Sequence, residues 1–81
     1  MRPMINRDGK VPIYQQIANE LRHGIRTGRY PGGTRLPSET ELMELHHVAR
    51  LTARKARNVL AEEGLVEIVQ GRGAFVIDAA A

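Results

Sequence analysis

The sequence predicts a mainly α domain closed by a small β-hairpin. Three observations carry that prediction. Apolar residues recur at helical spacing from Ile13 to Ile25, and a capping signature at Ser38 and Glu41 opens a second helix followed at once by a third, basic one. Two short β-branched runs then flank Gly71-Arg72-Gly73.

The first helix is expected over residues 12–27. Ile13, Ile17, Leu21 and Ile25 stand four apart, with Tyr14 and Ala18 beside them, which makes one apolar stripe. Pro12 suits a helix start because its missing N–H is one of the donors a first turn leaves unbonded anyway. Gly28 and Pro31-Gly32-Gly33 end the helix. Residues 1–11, with Pro3 and an Asp8-Gly9 turn signal, read as an arm leading into it.

Ser38 begins the second helix as its N-cap, and Glu41 three residues on completes a capping box. Leu42 and Leu45 are its expected apolar face, and it stops near His46-His47 after barely two turns. The third helix runs from Ala49 or Arg50 to Glu63 and is closed by Gly64. On a helical projection Ala53, Ala56 and Leu60 share one side, with Thr52 and Val59 at its edge, while Arg50, Leu51, Arg54, Lys55 and Asn58 share the other. Residues 65–70 and 74–77 form the hairpin, and 78–81 are a tail without a structural signal.

Composition narrows the function. The chain has 81 residues, enough for one core, and 12 Lys and Arg against 9 Asp and Glu, a net charge of +3. Distribution says more than the sum. Acids cluster at Glu39, Glu41 and Glu44 and again at Glu62, Glu63 and Glu67, leaving the ionic side chains between them all basic. A polyanion is the partner such a patch suits. Cysteine is absent, which excludes disulfides and thiolate metal sites. No apolar run approaches the roughly 18 residues of a membrane span, and the first ten residues lack the apolar core of a signal peptide, so the expected setting is the cytoplasm. Paired carboxylates, a nucleophile with its base and a phosphate-cradling glycine loop are all missing, so an enzyme is not expected. No metal or other cofactor is expected: His46 and His47 are adjacent, diverge on a helix and lack a third ligand, and they read as surface and helix-turn residues.

Three helices and a hairpin, with the basic face on the third helix, describe a winged helix-turn-helix. In that arrangement the third helix enters the major groove of DNA and the hairpin contacts flanking backbone or minor groove. Arg50 and Arg54, four apart, can address guanine O6 and N7 or adjacent phosphates. Lys55 and Thr52 suit phosphate contacts at the helix edge. Gly71 and Gly73 serve the turn and let backbone approach DNA closely around Arg72.

At this point the chain resembles the DNA-binding domain of GntR-type bacterial regulators, in the HutC-like branch. The matching segments are PIYQQIANELRHGI, RLPSETEL, VARLTARKA, EEGLVE and QGRGAFV, in the family's order and spacing across nearly all of residues 11–77. The resemblance implies DNA contacts from Thr40, from Arg50, Leu51, Thr52 and Arg54, and from Gln70, Gly71, Arg72 and Gly73 at the wing. Ser38 and Lys55 complete the candidate set. Three residues depart from the pattern. Ala49 stands where Ser or Thr usually caps the third helix, a loss of about 1 kcal/mol in typical cases. Leu51 stands where Thr is favoured, which would trade a polar contact for one with a thymine methyl. Arg57 stands where an apolar residue is usual, its stem expected along the core edge and its head on the basic face.

The expected function is a sequence-specific transcriptional regulator, a repressor bound to a short palindromic operator of double-stranded DNA. Helix 3, about residues 50–63, would lie in the major groove with residues 70–73 as the wing, inside a DNA-binding domain over 12–77. Two copies would pair at least on DNA, with half-sites about one helical turn apart. Family members normally continue into an effector-binding, dimerising domain, whereas here a few alanines follow Val76, so a stand-alone protein and a fragment both remain open and no small-molecule effector is expected in this chain. The alternative is a winged-helix protein-interaction module or accessory subunit. Exposed apolar side chains on helix 3 would mark it, and only Leu51 qualifies.

Overall fold

A computed structural model describes residue 7 and residues 9–78 of the chain. Among them, three helices precede a two-stranded antiparallel hairpin: α1 over Ile13–Arg26, α2 over Glu39–His46, α3 over Arg50–Glu62, β1 over Val66–Val69 and β2 over Gly73–Val76. This is a winged helix-turn-helix. The remaining residues of the expected arm and tail lie outside the described ones.

The core is built from one stripe of each helix. Ile17, Ala18 and Leu21 of α1 meet Ala53, Ala56 and Leu60 of α3, with Leu42 of α2 beside them, all at most 2% exposed. The alanines are what allow close packing, since a longer side chain at either would need the space the facing helix fills. Ile13 and Ile25, at the two ends of the same stripe, are only half-buried. Gly24 is buried in the last turn of α1 because the Tyr30 ring lies on it: a Cβ there would fall 2.6 Å from Tyr30 Cε2. Arg22 of α1 donates to both carboxylate oxygens of Glu63, at 2.8 and 2.6 Å, and pins the far end of α3.

The capping box of α2 is present in both directions. Glu41 N–H donates to Ser38 Oγ at 3.0 Å and Ser38 N–H donates to Glu41 Oε1 at 2.7 Å. The helix stops where His47 adopts a left-handed φ of 55°. Arg7 then donates to the carbonyls of His46 and His47, at 2.6 and 3.2 Å, so part of the expected arm closes the carbonyl end of α2.

Two expectations for α2 are corrected. Leu45 does not share the apolar face with Leu42: it is 41% exposed, and the inward position one turn after Leu42 belongs to His46. His46 is therefore no surface residue. It is 5% exposed, with Nε2 3.3 Å from Glu20 Oε2 of α1. The spacing of i and i+4 selects it over Leu45 at i+3 because of where α2 crosses its neighbours.

The N-cap of α3 is Ala49, which offers no side-chain bond, as its sequence predicts, and Gly64, with a φ of 79°, follows the C-cap Glu63. In the hairpin Val66 pairs with Val76 and Val69 with Gly73, which places Gly73 in the strand and leaves Gln70, Gly71 and Arg72 as the turn. The segment before α2 adds a third line of pairing that the sequence did not reveal. Gly33 N–H donates to Val76 O, Val76 N–H to Thr34 O and Leu36 N–H to Ala74 O, each at 2.8 Å, so β2 is bonded on both edges. That pairing fastens the wing to the start of α2.

Candidate nucleic-acid interface

The N-terminal ends of α2 and α3 and the hairpin turn surround one open cleft. Ser38, Glu39 and Thr40 come from α2 and its cap, Arg50, Arg54 and Arg57 from α3, and residues 68–73 from the wing, with Arg35 between wing and helix. Eight of the eleven candidate residues meet here: Ser38, Thr40, Arg50, Arg54, Gln70, Gly71, Arg72 and Gly73. Leu51, Thr52 and Lys55 stand outside its wall. Leu51 is 60% exposed at the first turn of α3 and Thr52 is half-buried. Lys55 turns toward α1, its Nζ 5.7 Å from the centre of the Tyr14 ring, a cation–π contact on the other edge of the helix.

Five arginines face one acid in this cleft, so it is strongly cationic. The acid, Glu39, organises three of them. Its Oε2 accepts from Arg54 Nε at 2.9 Å, and its Oε1 accepts from Arg54 Nη2 and Arg50 Nη1, both at 3.2 Å. Arg57 Nη1 lies 3.9 Å from Oε2. Arg50 Nη2 donates further to Thr40 Oγ1 at 3.4 Å. The Arg54 guanidinium holds the Glu39 carboxyl below its ordinary range, against the opposing effect of partial burial. Three arginines at i, i+4 and i+7 thus form a stripe along α3 with a carboxylate of α2 beneath it.

Arg57 corrects an expectation. Its head is not on the exposed basic face: the residue is 7% exposed, on the floor of the cleft, and burial pulls its pKa down against the attraction of Glu39. Arg57 shares the inward half of α3 with Ala53, Ala56 and Leu60, so its side chain leaves the helix on the buried side.

Arg35 and Glu39 join the cleft without a local sequence signal for it. Arg35 is placed by the pairing of its segment with β2, which turns Leu36 inward to 1% exposure and leaves Arg35 exposed at the wing. Its stem runs across Gly73, where a Cβ would sit 3.1 Å from Arg35 Cδ. With a φ of 121° Gly73 has two reasons to lack a side chain. Glu39 reads locally as an acid favoured at a helix N-terminus. Its partners lie 11 and 15 residues away, and no local pattern announces them.

The model of the gntR family of bacterial regulatory proteins matches residues 13–76. This chain belongs to the GntR family. It is 40% identical over 72 residues to the transcriptional repressor NagR of Bacillus subtilis, covering 89% of this chain and 30% of NagR. It is 38% identical over 68 residues to MngR of Escherichia coli, the mannosyl-D-glycerate transport/metabolism system repressor, covering 84% of this chain and 28% of MngR. The chain therefore spans less than a third of the length of these curated relatives. Among solved structures, YtrA of Sulfolobus acidocaldarius, a GntR-family transcription factor, superposes with a TM-score of 0.84 at 38% identity, over 94% of this chain and 80% of YtrA. The DNA-binding domain of AraR in complex with operator ORE1 superposes with a TM-score of 0.80 at 34% identity, over 94% of this chain and 93% of that one. No described helix of this GntR-family chain is long and apolar enough to cross a membrane.

Proposed function

We propose that this chain binds double-stranded DNA sequence-specifically and acts as a transcriptional repressor by occluding a promoter. The observation that carries the proposal is the cleft in which five arginines converge from α3, the wing and the segment before α2 around one carboxylate. A protein-binding surface of this size would be apolar at its centre, whereas this one is guanidinium-rich. The likeness to the AraR domain that is complexed with its operator supports the same conclusion.

In this role α3 lies in the major groove, with Arg50 and Arg54 at base edges or phosphates, Leu51 against a thymine methyl and Thr52 and Lys55 toward the backbone. Ser38, Thr40 and Arg35 face phosphates beside the groove, and Gln70 to Gly73 carry Arg72 to the flanking backbone or minor groove. Two copies pair on a short palindromic operator with half-sites about one helical turn apart. The protein works in the cytoplasm at the nucleoid.

Selection of bound sequences from a random DNA library tests sequence preference and the pairing of copies together. A palindromic consensus is the expected result. Recovery of no preferred sequence would overturn sequence-specific binding, and a single unrepeated half-site would overturn the pairing of copies.

A further inference from the structure

Arg57 is a cation where the family pattern places an apolar side chain, and it is buried beneath the two arginines proposed to contact DNA. Its Nε has no hydrogen-bond partner among the described residues, and its nearest counter-charge is Glu39, with Nη1 3.9 Å from Oε2. That distance is long for a charge-assisted bond, because Oε2 is already held by Arg54 Nε at 2.9 Å. A buried guanidinium left so poorly matched is costly unless it acquires a better partner in some state of the protein.

DNA supplies that state. The N–H groups that Arg50 and Arg54 give to Glu39 are the groups a base edge or phosphate would claim. When they are drawn away, Glu39, whose side chain is 18% exposed, remains as a partly buried carboxylate facing a polyanion. Uncompensated, it would oppose binding through both desolvation and repulsion.

We propose that Arg57 is a positioning residue for DNA binding: it takes over the Glu39 carboxylate when Arg50 and Arg54 turn to DNA, and so lowers the cost of releasing them. The residue itself touches no DNA. The proposal rests on the assignment of Arg50 and Arg54 to DNA, and the test separates the two.

The experiment measures affinity for a selected operator by fluorescence anisotropy, across salt concentrations, for the wild type, Arg54→Ala, Arg57→Met, Arg57→Lys, Glu39→Gln and the double variant Arg57→Met/Glu39→Gln. Thermal unfolding of each variant reports folding. Arg57→Met, which restores an apolar side chain, should weaken binding about tenfold, within the range for neighbours in one ion-pair network. In the Glu39→Gln background, where no charge needs compensation, the same change should alter affinity by less than about twofold, inside the usual limit of additivity. The slope of log affinity against log salt should stay as in the wild type, because no phosphate contact is removed. Arg57→Lys should keep most of the affinity, and it carries the test if Arg57→Met does not fold.

Equal losses in both backgrounds, no loss from Arg57→Met, or a well-folded Arg57→Lys as weak as a tenfold loss would each overturn the proposal. A salt slope shallower by about 0.9 would make Arg57 a phosphate contact and overturn it as well. Full affinity in Arg54→Ala would instead overturn the assignment of Arg54 to DNA, whatever the Arg57 variants do.

Discussion

Glu39 and Arg54 are joined by two hydrogen bonds, at 2.9 and 3.2 Å, across fifteen residues of sequence and the turn between α2 and α3. The pair holds the guanidinium over the cleft. Arg54 is half-exposed there, so solvent screens the pair and its value lies more in pose than in stability.

Removing the guanidinium should therefore damage recognition more than folding. Arg54→Ala is expected to cost about 1 to 3 kcal/mol of binding and to relax preference at one base pair. Affinities for single-base operator variants check this. A uniform loss over all sequences would make Arg54 a phosphate contact.

The cationic cleft should make binding strongly dependent on salt. For five or six neutralised phosphates, log affinity falls against log salt by about 0.9 per phosphate. Anisotropy titrations over a salt series measure the slope, and an affinity indifferent to salt would refute DNA binding through these arginines.

The two helices of the turn differ in their starts, and the difference should be visible in stability. Ser38→Ala removes the bond to Glu41 N–H and is expected to destabilise by about 1 kcal/mol. Ala49→Ser offers α3 the cap it lacks and is expected to stabilise by a similar amount, about 1 kcal/mol. Urea unfolding midpoints of both variants test the pair of predictions.

Acid should loosen the turn in a defined window. In the folded chain Arg54 first, then Arg50 and Arg57, hold the Glu39 carboxyl low against the effect of burial. A depressed folded value means a contribution fully present above the ordinary glutamate value, about 4.3, and lost as pH falls through the lower folded value. Glu63, held low by Arg22, and Glu41, held low by the Ser38 amide, act in the same direction. Unfolding midpoints from neutral pH downward should fall in this range, and Glu39→Gln should flatten part of the fall. An unchanged acid profile in Glu39→Gln would show that its carboxylate does not stabilise the fold.

The sequence by itself determined the three helices, the capping box, the stop at Gly64 and the hairpin. Each depends on residues within a few positions of one another, through caps, turn glycines and a period of 3.6 or 2. It also determined that Arg50 and Arg54 share a face, because four residues on a helix always do. Only the tertiary structure decided that His46 and not Leu45 packs inward, that Arg35 joins the cleft, and that Arg57 is buried in its floor. Helical periodicity says which residues share a face, but the crossing of two helices selects the face that is covered. Likewise, the bonds from Gly33, Val76 and Leu36 that seat the wing, and the carboxylate shared by Arg50, Arg54 and Arg57, join residues too far apart in sequence for any local pattern to register.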